Sequence, residues 1–292
     1  MKQRLVGVVD QLFHYPVKSM LGETLAEFEV GANGVIGDRA WGLREHNGRI
    51  ASAKKWANLF EFHAMYEAAP SLATSAPVRI TLPDGRHIRT ADPDASAILS
   101  AQLGRPVTLE HTRPDERARG EIDPRTIFGD VGVARVMPQF TAATLPDTFG
   151  LYRGSFFDSA PIHLLATGSL AYLRSLIGDD AQTDPRRFRP NIVVDTAQGS
   201  QGAGESASRG QSQRFVEDEW LDGELRIGEH VRIITMRAAL RCVMTTHRQT
   251  DLARDPRILR ATAQHHQAHL GVFAAIGAPG IVRVGDPVWL TM

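Results

Sequence analysis

Apolar and polar residues alternate in short runs through the first third of the chain, which is the period of strands. Residues 4–17 read as a strand ending at Tyr15-Pro16, and Leu25 to Val30 as a second. Asp38 to Leu43 begins another, and Asn47-Gly48 is a hairpin signal because that pair suits the positive φ angles of a tight turn. Leu59 to Tyr66, Val78 to Leu82, Arg86 to Thr90 and Pro106 to His111 continue the pattern. One helix is expected, from Pro93 to Leu103 and stopped by Gly104. Short strands separated by turns predict a small β-rich domain.

From Thr112 to about Gln139 the periodicity fades, and the charges and prolines predict a linker or irregular excursion. Order resumes at Phe156 to Pro161, followed by a strand at Ile162 to Ala166. Leu170, Leu173 and Ile177 recur at helical spacing before Gly178. Ile192 to Val194 and Val231 to Met236 read as strands, with Trp220 to Ile227 ordered between them. Asp255-Pro256 caps a helix expected to reach about His269. Ile281 to Val284 and Val288 to Leu290 close the chain as strands. Residues 197–213 are rich in Gly, Ser and Gln and are expected to form a mobile surface insertion.

Composition narrows the class. An apolar share of 42% supports a packed core, and 33 basic against 33 acidic residues give no bulk charge for nucleic acid or an anionic membrane. The N-terminal run lacks the form of a signal peptide, and no apolar run approaches the ~20 residues of a membrane helix. The sequence is read as a soluble, cytoplasmic protein with no membrane or nucleic-acid partner. No Walker loop, dinucleotide fingerprint or nucleophile elbow occurs.

The chemistry centres on Cys242, the single cysteine. Alone, such a residue is more often a small buried hydrophobe. Arg241 beside it favours the thiolate, the metal-binding and nucleophilic form. One thiolate cannot build a zinc or iron–sulfur site, so a metal there needs most of its coordination from an organic cofactor. Lys18, Arg39, Arg189 and Arg241 lie at predicted strand edges, where they are either unrelated surface cations or an anion clamp. His265 and His269, one turn apart on the expected last helix, are read as surface histidines. Asp218-Glu219 is read as a solvated strand end.

Together these residues resemble the MOSC family, named from the C-terminal domain of molybdenum cofactor sulfurase. The matching pieces in the first half are Tyr15-Pro16-Val17-Lys18-Ser19 and Gly37-Asp38-Arg39-Ala40-Trp41. In the second they are Phe188-Arg189-Pro190-Asn191, Glu217-Asp218-Glu219-Trp220, Arg241-Cys242 and Pro279-Gly280 to Gly285-Asp286. The resemblance implies a mostly β, barrel-rich fold with a few helices. It also implies two domains, an N-terminal β-barrel-like domain at 1–115 and a MOSC β-barrel at 116–292. It implies a molybdenum cofactor (Mo-molybdopterin) between them, with Cys242 as metal ligand and catalytic residue. Lys18, Ser19, Arg39, Arg189 and Arg241 match positions that hold the pterin and its phosphate. Asp158 and Ser159 match a segment lining the pocket, and Asp158 is a catalytic candidate.

The implied activity is two-electron reduction of N-hydroxylated or related N–O small molecules. With no cysteines for an iron–sulfur domain, electrons must come from a separate flavoprotein or ferredoxin-like donor. The alternatives are a sulfur carrier using a Cys242 persulfide, and a non-catalytic molybdenum cofactor-binding protein. Two departures stand out: the family often has Tyr where Phe273 stands, and the 197–213 insertion is atypical.

Overall fold

The computed structural model describes residues 3–71, 76–197 and 214–291. The expected insertion at 197–213 lies outside them except for Ala197. The described residues form eighteen strands and four α-helices. In the first half these are β1 (Gln3–His14), β2 (Glu23–Leu25), β3 (Glu27–Gly31), β4 (Gly34–Val35) and β5 (Trp41–Glu45). They continue with β6 (His63–Tyr66), β7 (Val78–Thr81), β8 (His87–Arg89), α1 (Ala95–Leu103) and β9 (Val107–His111). Next come β10 (Arg119–Glu121), α2 (Val133–Val136), β11 (Thr148–Gly150), β12 (Ile162–Ala166), α3 (Thr167–Ile177) and β13 (Ile192–Asp195). The chain ends with β14 (Glu224–Ile227), β15 (Val231–Leu240), α4 (Arg257–His266), β16 (His269–Ala278), β17 (Gly280–Arg283) and β18 (Pro287–Thr291). The fold is mostly β.

Seven strands close a barrel in the order β13-β12-β16-β15-β14-β18-β1, and β1 completes the ring by pairing with β13; β2 extends the sheet beyond β1. Closure leaves these strands no free edge. Alternation explains the lining. Along β15, Val231, Ile233 and Thr235 are buried while Arg232, Ile234 and Met236 face out. Trp220, fully buried, packs with Val9, Leu12, Ile162, Leu225 and Val272 in the barrel core. Only β12–β13 is parallel, and α3 supplies its crossover.

A second core gathers Val17, Leu43, Trp56, Phe60, Phe62 and Leu99, under the β6-β7-β8 sheet, the β5–β9 pair and α1. The two bodies share chain: β1 belongs to the barrel although it opens the sequence, and β17 leaves the barrel to pair with β3.

Two expectations change. His269 is not on the last helix. Gln267 and Ala268 adopt left-handed backbone (φ 50° and 60°), which ends α4, and His269 starts β16. Residues 112–139 are also more than a linker. Ile122, Ile127, Phe128 and Val133 are buried with Leu259 and Ala263 of α4, and β10 pairs with β11. Apolar residues spaced irregularly through a charged stretch show no period, so their burial was hidden from periodicity.

The helix α3 is tied to the chain after the undescribed stretch by a buried carboxylate. Glu217 accepts from Ala166 N (2.7 Å) and from the Ser169 hydroxyl, whose oxygen accepts from Val216 N at 2.8 Å. Burial raises its carboxyl from 4.5 to about 7, the hydrogen bonds offsetting only part of that. A carboxyl raised in the folded state contributes stability at low pH that is lost as pH climbs through the folded value. Stability is therefore expected to fall between pH 4.5 and about 7, by up to about 3 kcal/mol. Urea melts at stepped pH should show that slope, and Glu217→Gln should flatten it.

Candidate functional site

Eight segments of chain meet at a cavity of about 390 Å³, within the range of small-molecule and cofactor sites. Lys18, Ser19, Arg39, Asp158, Ser159, Arg189, Arg241 and Cys242 all line it. The meeting is built from hydrogen bonds between loops. Asp38 accepts from Tyr15 N (2.9 Å), Arg39 N donates to Tyr15 O (2.7 Å), and Phe156 N donates to Arg39 O (3.0 Å). The arginines extend this lattice with their side chains. Arg39 donates to Arg189 O (3.1 Å), Arg189 to Met20 O (2.8 Å), and Arg241 to Phe188 O (3.0 Å).

Ser19, Arg39 and Arg189 have positive φ (66°, 48° and 56°), half of the six non-glycine residues that do so among those described. Such backbone is costly for residues with a Cβ and persists where the surroundings over-determine it. Here the loop-to-loop hydrogen bonds supply that determination. The Ser19 hydroxyl serves the lattice too, accepting from Ala53 N at 3.0 Å.

The charge balance is lopsided. Six cationic side chains line the cavity against one carboxylate, Asp158. Arg39 is ion-paired behind the lining with buried Asp38. Lys18 donates to Phe156 O (2.7 Å) and to Asp158, whose second oxygen accepts from Lys54 at 2.5 Å. Burial alone would raise Asp158, but the Lys18 and Lys54 charges outweigh it and hold the carboxyl well below its usual range. Burial pulls Lys18 down to about 8 even with Asp158 beside it. Arg189 and Arg241 are each pulled down to about 10, chiefly by burial; the Arg39 charge adds to the shift in Arg189. Buried Arg189 Nη2 and Arg241 Nε have no partner, so donors remain for an anion.

Tyr15 is the platform between the two halves. The Arg39 and Arg189 guanidiniums lie 4.3 and 4.1 Å from its ring centroid. Its hydroxyl is buried and unpartnered, and burial raises it to about 12. Cys242 is half-buried at the end of β15, just before a 3₁₀ turn over Val243–Thr246, and its carbonyl accepts from Thr245 N (3.1 Å).

Lys54 and His163 line the cavity but were missed from sequence. Lys54 sits between Ala53 and Lys55 with no motif around it. His163 is an isolated histidine in an apolar strand, with Nε2 unpartnered and its charged form disfavoured by burial and then by Arg241. Its ring fits because position 271 is glycine: a Cβ there would come 2.4 Å from Nε2. Phe273 packs on His163 at 5.3 Å. The other flagged groups lie elsewhere. His265 is exposed on α4, while His266 stacks on Phe215 (4.1 Å) and pairs with Asp218 at 2.9 Å. Glu219 pairs with Arg4 at 2.7 Å.

Among the described residues, no cluster of three or more His, Cys, Asp or Glu side chains is placed to hold a metal ion. No helix among them is long and apolar enough to cross a membrane.

Fold and site define a two-domain β protein with a cavity that gathers buried cations beside a thiol. The MOSC N-terminal beta barrel domain model matches residues 6–104, the MOSC domain model matches residues 151–289, and the chain belongs to this MOSC-domain family. It is 25% identical to mitochondrial amidoxime-reducing component 1 of Mus musculus, across 98% of this chain and 82% of that protein. The protein of the same name from Homo sapiens is also 25% identical, across 98% and 83%. Among solved structures, the YUAD protein from Bacillus subtilis aligns over 99% of this chain and 97% of its own, with 10% identity and a TM-score of 0.45.

The Tyr15 platform is testable apart from any ligand. Tyr15→Phe keeps the stack and removes an unpaired hydroxyl, so stability should hold or rise by up to about 1 kcal/mol. Tyr15→Ala removes the ring between two guanidiniums and should cost about 3–5 kcal/mol in urea unfolding.

Proposed function

We propose that the chain is a molybdenum-cofactor-dependent reductase of N-hydroxylated or related N–O compounds, supplied with electrons by a separate donor protein. The observation that carries this reading is the excess of buried positive charge, with unpartnered Arg189 Nη2 and Arg241 Nε, in the cavity that also holds the single thiol. A pterin dithiolene phosphate fits those demands. Its phosphate would answer the guanidinium donors, its sulfurs would supply the coordination that one cysteine cannot, and Cys242 would add a thiolate ligand.

Lys18, Arg39, Arg189 and Arg241 would hold the cofactor, with the Ser19 and Ser159 segments against it. When bound, the cofactor supplies two-electron exchange and oxygen-atom acceptance. In the net reaction the N–O bond breaks, the nitrogen is reduced, and two electrons with two protons release the oxygen as water. This chain's own part is binding, orientation and proton supply. Asp158, kept ionised by two lysines, orients a polar group near Cys242. Lys18, lowered to about 8, is a buried acid able to give up a proton near neutral pH.

A persulfide carrier needs an exposed, mobile thiol. Cys242 is instead half-buried, and its carbonyl accepts from both N and Oγ1 of Thr245 (3.1 and 3.0 Å).

Cys242→Ser should leave folding intact and abolish molybdenum-dependent reduction of an amidoxime or hydroxylamine with an artificial donor. Full activity in that variant would sink the ligand assignment. Arg39→Ala and Arg189→Ala should each weaken cofactor retention by roughly ten- to a hundredfold, from the loss of a charge-assisted bond worth about 1.5–3 kcal/mol. Both side chains also bond backbone carbonyls, so each variant loses stability without cofactor. Occupancy must therefore be compared at equal folded fraction. The two losses should be non-additive, because one ligand is shared. Unchanged occupancy would make the arginines purely architectural.

A further inference from the structure

The cavity has two unlike walls. The charged one comes from segments within the two family matches, at 6–104 and 151–289. The other comes from residues 122–149, which lie between those two matches. That wall presents Phe128, Met137, Phe140, Leu145 and Phe149 to the cavity. Phe128 is buried in the packing against α4, whereas Met137, Phe140, Leu145 and Phe149 are only partly buried and keep apolar surface free.

The apolar wall is fixed with respect to the thiol. Val243 N, one residue beyond Cys242, donates to Ile127 O at 2.7 Å. Arg260 of α4 pairs with Asp130, and β10–β11 closes the base of the excursion. At the seam between the walls, the Lys54 ammonium lies 4.0 Å from the Phe149 ring centroid while bonding Asp158. A largely apolar face beside the thiol, with Thr148 as the one polar side chain this segment adds to the lining, rewards apolar surface on whatever reacts there.

We propose that residues 122–149 are the substrate wall, and that they select N–O compounds carrying an aromatic or bulky apolar group over small polar ones. This rests on the reductase reading above. The polar N–O end would lie toward Cys242 and Asp158, and the apolar group would lie along Met137, Phe140 and Leu145. These three are specificity-determining residues and belong to neither the cofactor clamp nor the metal ligand set.

The test uses the cofactor-loaded full chain and the variants Phe140→Ala and Leu145→Ala, chosen because neither side chain is deeply buried. The substrates are benzamidoxime and hydroxylamine. Benzamide, an uncharged isostere with no N–O bond to reduce, is titrated by calorimetry. Each variant should lose roughly tenfold or more in kcat/KM for benzamidoxime, as expected for lost apolar contact in a pocket. Benzamide affinity should fall in step, while hydroxylamine turnover and molybdenum content stay at the wild-type level. Equal losses for both substrates, or no loss for benzamidoxime with unchanged benzamide binding, would overturn the proposal. If the loaded wild type reduces neither substrate, the reductase reading fails by itself. The benzamide titration then still decides the wall: weaker binding in the variants supports it, and unchanged binding removes it.

Discussion

The structure turns on burying cations without enough anions. Lys18, Arg39, Arg189 and Arg241 are each under a tenth exposed, and an unpaired buried charge is among the most expensive things a fold can contain. The chain meets part of that cost internally. Asp38 neutralises Arg39, Asp158 serves two lysines, and loop carbonyls accept from each guanidinium. What is left over is an excess of positive charge focused on one cavity. The same contacts that soften the excess bind the loops together.

Much of this was legible in the sequence, and the reasons are local. Alternating apolar residues marked β15, and Gly104, with φ 66°, ended α1 where a left-handed C-cap was expected. Most of the residues named from sequence that line the cavity are charged or sulfur-bearing side chains, with Ser19 and Ser159 as the exceptions. Which of them share a cavity depended on contacts such as Lys18 to Asp158, 140 residues apart. No periodicity encodes such a contact.

What stayed hidden was hidden for particular reasons. Residues 122–149 bury apolar side chains through single turns and short pairings, so neither helical nor strand spacing appears. Lys54 and His163 carry no neighbouring motif, and the room for His163 depends on a glycine 108 residues away. His269 was placed on a helix because its spacing from His265 matches one turn. Two left-handed residues between them, neither a glycine, broke that helix. Glu217 stood beside two other acids and looked no different from them, yet only Glu217 faces inward.

The placement of β1 bears on how the chain comes to be folded. This strand lies between β13 and β18, so residues 3–14 meet partners at 192–195 and 287–291. Within this chain β1 precedes both partners, so it waits for β13, and longer still for β18, with edges open to wrong pairings. Loop closure over such separations makes barrel assembly a late and slow event. The cavity, whose loops hang from β1, β12, β13 and β15, takes shape only then. A ligand bound there would act on a barrel that has already closed.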